Sequence, residues 1–186
     1  NYKGKKNIKF SVVRYGNVLG SRGSLIPFFL MKKKEGVLPI TDKRMTRFNI
    51  SLEEGVEFVL FCLKKMWGGE IFVPKIPSFR VIDIAKAIAP KAKLKFIGIR
   101  PGEKIHEEMI SQSDGLNTIE YKKYFVITSN SKFTKMDKKK YMKFDKSGKS
   151  CSDNFSYNSL NNKHFLKISE LKKLIKSNLK FIKIDN

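Results

Sequence analysis

Residues 9–36 read KFSVVRYGNVLGSRGSLIPFFLMKKKEG. The β-branched and aromatic run over 9–18 has an apolar centre and ends in glycine-rich sequence, which predicts a buried strand feeding a loop. Residues 24–34, SLIPFFLMKKK, then carry an apolar face, a capping serine, Pro27 near the first turn and a basic last turn, so a helix follows, closed by Gly36. In open α/β sheets, ligands sit at the carboxyl ends of strands, where this loop lies. Asn17 can both donate and accept there, while Gly20 and Gly23 let backbone N–H groups approach a phosphate. An ordinary loop needing glycine for its backbone angles is the alternative. Arg14, Asn17 and Arg22 around the glycines favour a site.

The alternation continues outward from this unit. A short strand is expected over 38–41, a turn over 42–48, and a helix N-capped by Ser51, with Glu53, Glu54 and Glu57 in its first turns and Lys64 and Lys65 in its last. Val56, Phe58, Val59, Leu60 and Leu63 are expected to form its buried side. A strand over 70–74, a helix over 81–89 capped by Ser78, a strand over 94–99 and a helical stretch over 104–110 complete an α/β pattern. A further strand is expected over 124–128. Residues 130–162 are polar, lysine-rich and weakly periodic, predicting an extended tail that wraps over a body and ends in a helix over 169–177.

The cations divide unevenly. Of 39 Lys and Arg only six are arginine, at 14, 22, 44, 47, 80 and 100. A planar guanidinium grips phosphate or carboxylate oxygens bidentately where an ammonium acts as a point charge. RYGNVLGSRGS (14–24), TDKRMTRF (41–48) and RPGEK (100–104) together read as an anionic-ligand site divided over the chain. In RPGEK the carboxylate of Glu103 follows Arg100 by three residues and is suited to accept hydrogen bonds from ribose hydroxyls. Arg47 has an alternative as a surface arginine paired with Glu53 or Glu54. His106, between Ile105 and Glu107, reads as a helix residue beside the site, not as a catalytic or metal-binding group. Tyr2 and Lys6 have the Tyr-x-x-x-Lys spacing of a dehydrogenase pair, but Gly4 and the absence of a flanking apolar stripe argue against the helix that pair needs.

A formal net charge of +22 on 186 residues raises nucleic acid or an anionic membrane as partners. Lys, Asn, Ile and Phe are enriched together across the whole chain, which points to compositional bias, and no nucleic-acid-binding signature is found. No apolar stretch approaches the ~18–20 residues of a membrane span, and no export signal is read at the start. Cys62 and Cys151 lack metal-ligand spacing and fit two free thiols in a reduced, cytoplasmic setting. A chain that begins on Asn1 directly before a strand-like run is expected to be part of a longer one.

The strings RYGNVLGSRGSLIPFF (14–29), PITDKRMTRFNISLEEGVEFV (39–59), GGEIFVPKIPSFRVIDIAKAIAP (68–90) and IGIRPGEKIHEEMI (97–110) together resemble the inverting UDP-N-acetylglucosamine 4,6-dehydratases, which belong to the extended short-chain dehydrogenase/reductases and begin pseudaminic-acid biosynthesis. FSYNSLNNKHFL (155–166) is similar to the tail of the soluble members. The resemblance implies the C-terminal part of a Rossmann-type α/β fold: residues 1–22 end the Rossmann domain, 23–112 form a substrate-binding subdomain and 113–186 a wrapping extension. The NADP loop, the acid/base group and the Tyr-x-x-x-Lys helix of the family fall in an N-terminal half that this sequence does not contain, so no catalytic residue is assigned and no metal is expected.

By position, the resemblance gives Tyr15, Val18, Gly20, Ser21 and Arg22 to the nicotinamide side of NADP. It gives Asn17 to the sugar nucleotide, Thr41 and Arg47 to the uridine and diphosphate, Arg100 to the diphosphate and Glu103 to the ribose. The family's reaction is oxidation at carbon 4 by NADP, loss of water across carbons 5 and 6, and hydride return to carbon 6 with inversion at carbon 5. The implied partners are a UDP-sugar, the missing Rossmann half and, at full length, further copies of itself. A related UDP-sugar epimerase or retaining dehydratase, or a non-catalytic half that pairs with a separate Rossmann half, are the alternatives.

Overall fold

The computed structural model describes residues 7–21, 23–129 and 137–178. In chain order the first elements are β1 (Val12–Val13), α1 (Leu25–Lys32), β2 (Val37–Ile40), β3 (Thr46–Phe48), α2 (Leu52–Lys65), β4 (Ile71–Pro74), β5 (Ser78–Arg80), α3 (Val81–Ile88) and β6 (Lys93–Phe96). There follow β7 (Glu108–Ile110), α4 (Gln112–Gly115), β8 (Thr118–Glu120), β9 (Tyr124–Ile127), α5 (Lys138–Phe144), β10 (Lys149–Ser150), β11 (Tyr157–Asn158) and α6 (Ile168–Asn178). The α/β class expected from the alternating pattern is the class found. Two compact units interleave along the sequence: Asn1–Tyr15, Glu53–Lys75 and Glu108–Tyr157 make one, and Gly16–Leu52, Ile76–Glu107 and Asn158–Asn186 the other.

The first unit is built on a five-stranded sheet in the order β1-β4-β9-β8-β10, with β1 parallel to β4 and the remaining pairs antiparallel. Its core gathers Cys62, Phe72, Ile119, Tyr121, Val126 and Tyr141. Tyr121 stacks on Tyr124 at 4.7 Å, and Phe61 meets Tyr124 edge-on at 5.1 Å, a geometry suited to the ring quadrupoles. The buried carboxylate of Glu70 is satisfied by the backbone N–H groups of Trp67 and Gly68, both at 2.7 Å.

In this unit α2 departs from expectation. Gly55 and Cys62 are its buried residues and Phe58 and Phe61 pack half-buried on the core, while Val56, Val59, Leu60 and Leu63 are exposed. The helix is apolar on two faces, and the core takes the one that carries Phe58, Phe61 and Cys62.

The second unit has a core of α1, β2, α3 and α6 side chains, including Ile26, Phe29, Leu38, Ile40, Ile84 and Leu171. Full burial of each is worth ~1.5–3 kcal/mol against exposure. β2 and β6 run parallel in register from Val37↔Lys93 to Ile40↔Phe96. β3 and β5 pair antiparallel, with Arg47 opposite Phe79. Along β3, Thr46 and Phe48 are buried and Arg47 is half-buried, because successive side chains of a strand point to opposite faces.

Three local expectations are corrected here. Residues 104–107 are not helical: Ile105 O accepts from Thr46 N at 3.1 Å and Glu107 O from Ser159 N at 2.8 Å, so neighbouring segments take the hydrogen bonds a helix would use internally. Residues 108–110 form β7. Ser78 belongs to β5 and bonds Asn162, leaving Arg80 as the N-cap of α3. The stretch expected as extended tail contains α5, whose N-cap Asp137 accepts from Lys140 N at 2.8 Å, and β10, which closes the edge of the five-stranded sheet. Residues 130–136 of that stretch, with Tyr2, Lys6 and Arg22, lie outside the described residues.

Candidate functional site

A cavity of about 470 Å³ opens in the second unit. Two pairs of segments form its polar side. The loop after β1 lies along the end of β3: Leu19 N donates to Ile50 O at 2.8 Å, Val18 bridges Ile50 in parallel, and a Cβ on Gly16 would stand 2.5 Å from the Cβ of Phe48. Gly16 is therefore required by close approach, and Asn17 and Arg47 both line the cavity. The second pair follows from the parallel register of β2 and β6, whose carboxyl ends carry Thr41 and the 97–103 loop to one place. Ile97 N donates to Ile40 O at 2.9 Å there, and Thr41 Oγ1 donates to Glu103 Oε1 at 3.4 Å.

Asn17, Thr41, Arg47, Arg100 and Glu103 all line this one cavity, as do Val18 and Gly20. Gly20 holds a left-handed φ of 74°, which glycine adopts at little cost. Ser21 is exposed and outside the lining, and Tyr15 belongs to the other unit. Of the other arginines, Arg14 donates to Met109 O at 2.7 Å and pairs with Asp114 at 3.3 Å within the first unit. Arg44 pairs with Asp42 through Nε and a terminal nitrogen at 3.0 and 2.8 Å and holds that carboxyl down at about 2. Arg80 is exposed.

Arg47 is held before any ligand arrives. One terminal nitrogen donates to Thr46 O at 2.7 Å and Ile105 O at 3.0 Å, and Nε lies 3.7 Å from Glu107 Oε1. Its carboxylate partner is thus Glu107, and not Glu53 or Glu54, which the alternative reading of Arg47 named. Glu107 Oε2 also accepts from Phe48 N at 2.9 Å. Burial raises the Glu107 pKa, and the Phe48 N–H and Arg47 charge oppose that rise. His106 Nδ1 is 2.8 Å from Thr46 Oγ1, and its pKa is lowered by burial and by the charges of Arg47 and Arg44. Arg100 is exposed at the cavity's edge, where its backbone N–H donates to Glu103 Oε2 at 3.4 Å and its carbonyl accepts from Glu103 N at 3.0 Å.

The same lining has an apolar part, made of Leu25, Phe28 and Met31 of α1 together with Pro39 and Ile97. The sequence carried a signal for it in the three-residue spacing of Leu25, Phe28 and Met31. No local signal marked Glu107 or Ser159, whose roles depend on contacts between distant segments. The cavity thus joins a guanidinium held on β3, a second and exposed one in the loop after β6, a Thr–Glu pair and apolar lining. That combination suits a ligand with an anionic middle, hydroxyls and a flat or apolar end. Among the described residues no cluster of His, Cys, Asp and Glu fits a metal ion, and no helix is long and apolar enough to cross a membrane.

The chain is 49% identical over 178 residues to a Campylobacter jejuni protein named UDP-N-acetylglucosamine 4,6-dehydratase (inverting), covering 94% of this chain and 53% of that one. A Rickettsia conorii UDP-glucose 4-epimerase is 40% identical over 121 residues, 62% of this chain and 36% of the relative. The solved structure of Pen from Bacillus thuringiensis superposes with a TM-score of 0.78 at 30% identity, over 95% of this chain and 52% of that one. The chain spans about half the length of the curated dehydratases it matches. Residues 1–129 match the family described as Polysaccharide biosynthesis protein, and the chain belongs to that family.

Proposed function

We propose that this chain is the nucleotide-sugar-binding portion of an inverting UDP-N-acetylglucosamine 4,6-dehydratase. The observation that carries the reading is that Arg47, in the middle of β3, and Arg100, in the loop after β6, line one cavity with Asn17, Thr41 and Glu103. Arg47 and Arg100 grip the diphosphate, Thr41 and Glu103 take the uridine and ribose side, and Asn17 faces the sugar. Guanidinium groups fixed on a diphosphate supply binding energy remote from the reacting ring, which can be used to orient the sugar.

NADP, when bound, would supply the hydride acceptor and donor. Val18 and Gly20, in the cavity lining, and Tyr15, Ser21 and Arg22 would face its nicotinamide side. Among the described residues there is no glycine-rich dinucleotide loop and no helix carrying a Tyr-x-x-x-Lys pair, and the chain spans about half the length of the dehydratases it matches, so the remaining contacts and the acid/base groups are assigned to a Rossmann half, and the chain alone is inactive. Two features support such a partner. β1 is an edge strand of its sheet, and the exposed apolar row of α2 lies in the same unit. The full enzyme would work in the cytoplasm, form homo-oligomers and feed pseudaminic-acid synthesis for surface polysaccharide.

Titration of the chain with UDP-N-acetylglucosamine, UDP and free N-acetylglucosamine tests this. Both UDP ligands bind and the free sugar does not, and incubation with NADP yields no dehydrated sugar. Turnover by the chain alone, or an equal response to an oligonucleotide with a steep salt dependence, would contradict the reading.

A further inference from the structure

The strand that carries Arg47 is tied by a hydroxyl from the C-terminal stretch. Ser159 is 0% exposed. Its Oγ lies 2.6 Å from Thr46 Oγ1, donates to Thr46 O at 3.1 Å, and accepts from Glu107 N at 2.9 Å. Its backbone N–H donates to Glu107 O at 2.8 Å. Three segments distant in sequence therefore meet at one buried oxygen. It bonds two of the three residues that hold the guanidinium: Thr46, whose O accepts from Arg47, and the backbone of Glu107, whose carboxylate faces Arg47 Nε, while Ile105 O is the third.

We propose that Ser159 is a positioning residue for Arg47, fixing the plane of the guanidinium so that its free edge is presented to the anionic part of the ligand. The significance for ligand binding rests on the reading of Arg47 given above. A guanidinium directs its five N–H donors within one plane. With one terminal nitrogen bonded to two carbonyls and Nε facing a carboxylate, the plane is set, and among the described residues the other terminal nitrogen meets Met45 Sδ, at 3.9 Å. Removing the Ser159 hydroxyl leaves the half-buried Glu107 N–H without this partner and Thr46 Oγ1 with His106 as its remaining side-chain contact. The carbonyl and carboxylate that set the plane are then free to shift. Asn162, three residues on, gives a control from the same stretch: its side chain donates to Ile76 O at 2.8 Å and Ser78 Oγ at 2.9 Å and touches none of the Arg47 groups.

Two measurements on the whole chain test the proposal. In arginine Nε–H NMR spectra of the ligand-free protein, with the Arg47 signal identified by its loss in Arg47→Lys, Ser159→Ala should speed Arg47 Nε–H exchange by about tenfold, the effect of losing a buried partner. In a double-mutant cycle, Ser159→Ala should weaken UDP by about tenfold and leave uridine unchanged. It should add nothing in an Arg47→Ala background, since coupled residues are not additive. Asn162→Ala should keep wild-type UDP affinity, and Ser159→Cys, which fills the site if alanine unfolds the chain, should fall between serine and alanine. Unchanged Nε–H exchange in folded Ser159→Ala, or a UDP loss that simply adds to that of Arg47→Ala, overturns the proposal. If the wild type fails to bind UDP while Ser159→Ala still loosens Arg47, the ligand reading falls and the tie between the two residues stands.

Discussion

At the scale of the residue, the site depends on groups whose partners are used up locally and groups whose partners are not. Arg44 is satisfied by Asp42, whereas Arg47 keeps one edge open on the cavity. His106 lies near both guanidinium groups, and its proton affinity is reduced below the ordinary 6.5. In the window below 6.5 the unfolded chain takes up a proton that the folded one resists, so this residue's contribution to stability is lost as pH falls through that window. An NMR titration of His106 should give a midpoint under 6.5, and a midpoint above it would contradict the described surroundings. Gly16 makes a second residue-scale test. Its added Cβ would meet Phe48 at the Cβ, where a side chain cannot swing aside. Gly16→Ala should therefore cost about 1–3 kcal/mol in denaturant unfolding. The glycines and arginines were legible in the sequence as site-forming residue types. The need for Gly16 was not, because it arises from a strand more than thirty positions away.

At the scale of the element, period and capping located α1, α2, α3, α6, β2, β4, β6 and β9, whereas β3 formed where a turn was expected, the buried strand expected over 9–18 is the short, largely exposed β1, and other failures came where hydrogen bonds leave the local segment. Residues 104–107 have helix-compatible composition but lend their backbone to β3 and to Ser159. α2 shows a different limit: its position was legible, but not which of its two apolar faces is buried. Gly55, Phe58 and Cys62 turn to the core, while Leu60 and Leu63 are 54% and 64% exposed. Phe58→Ala should cost about 2 kcal/mol through lost packing on Phe61 and Tyr124. Leu60→Glu and Leu63→Glu should each stay within about 0.5 kcal/mol of wild type and reduce any self-association seen by sedimentation. Equal destabilisation by the Phe58 and Leu60 changes would mean that the helix is turned the other way.

At the scale of the whole molecule, two units are each assembled from three separated stretches of chain. Alternating strands and helices made the α/β class legible, but interleaving is set by non-local pairing that no window of sequence contains. The candidate site lies within the second unit, where parallel β2 and β6 carry Thr41, Arg100 and Glu103 to one end. Its composition was legible because arginine is scarce in a lysine-rich chain. Its apolar wall and its Ser159 tie were less so, since they depend on how α1 and the C-terminal stretch pack. Calorimetric titration of the chain with UDP, comparing Arg47→Ala, Arg100→Ala and Arg80→Ala, tests directly whether separate arginines share one diphosphate. The account predicts that wild type and Arg80→Ala bind alike and that each of the other two loses about tenfold or more, as expected for charge-assisted bidentate contacts. Equal losses for Arg80→Ala and Arg100→Ala, or no UDP binding by the wild-type chain, would contradict it.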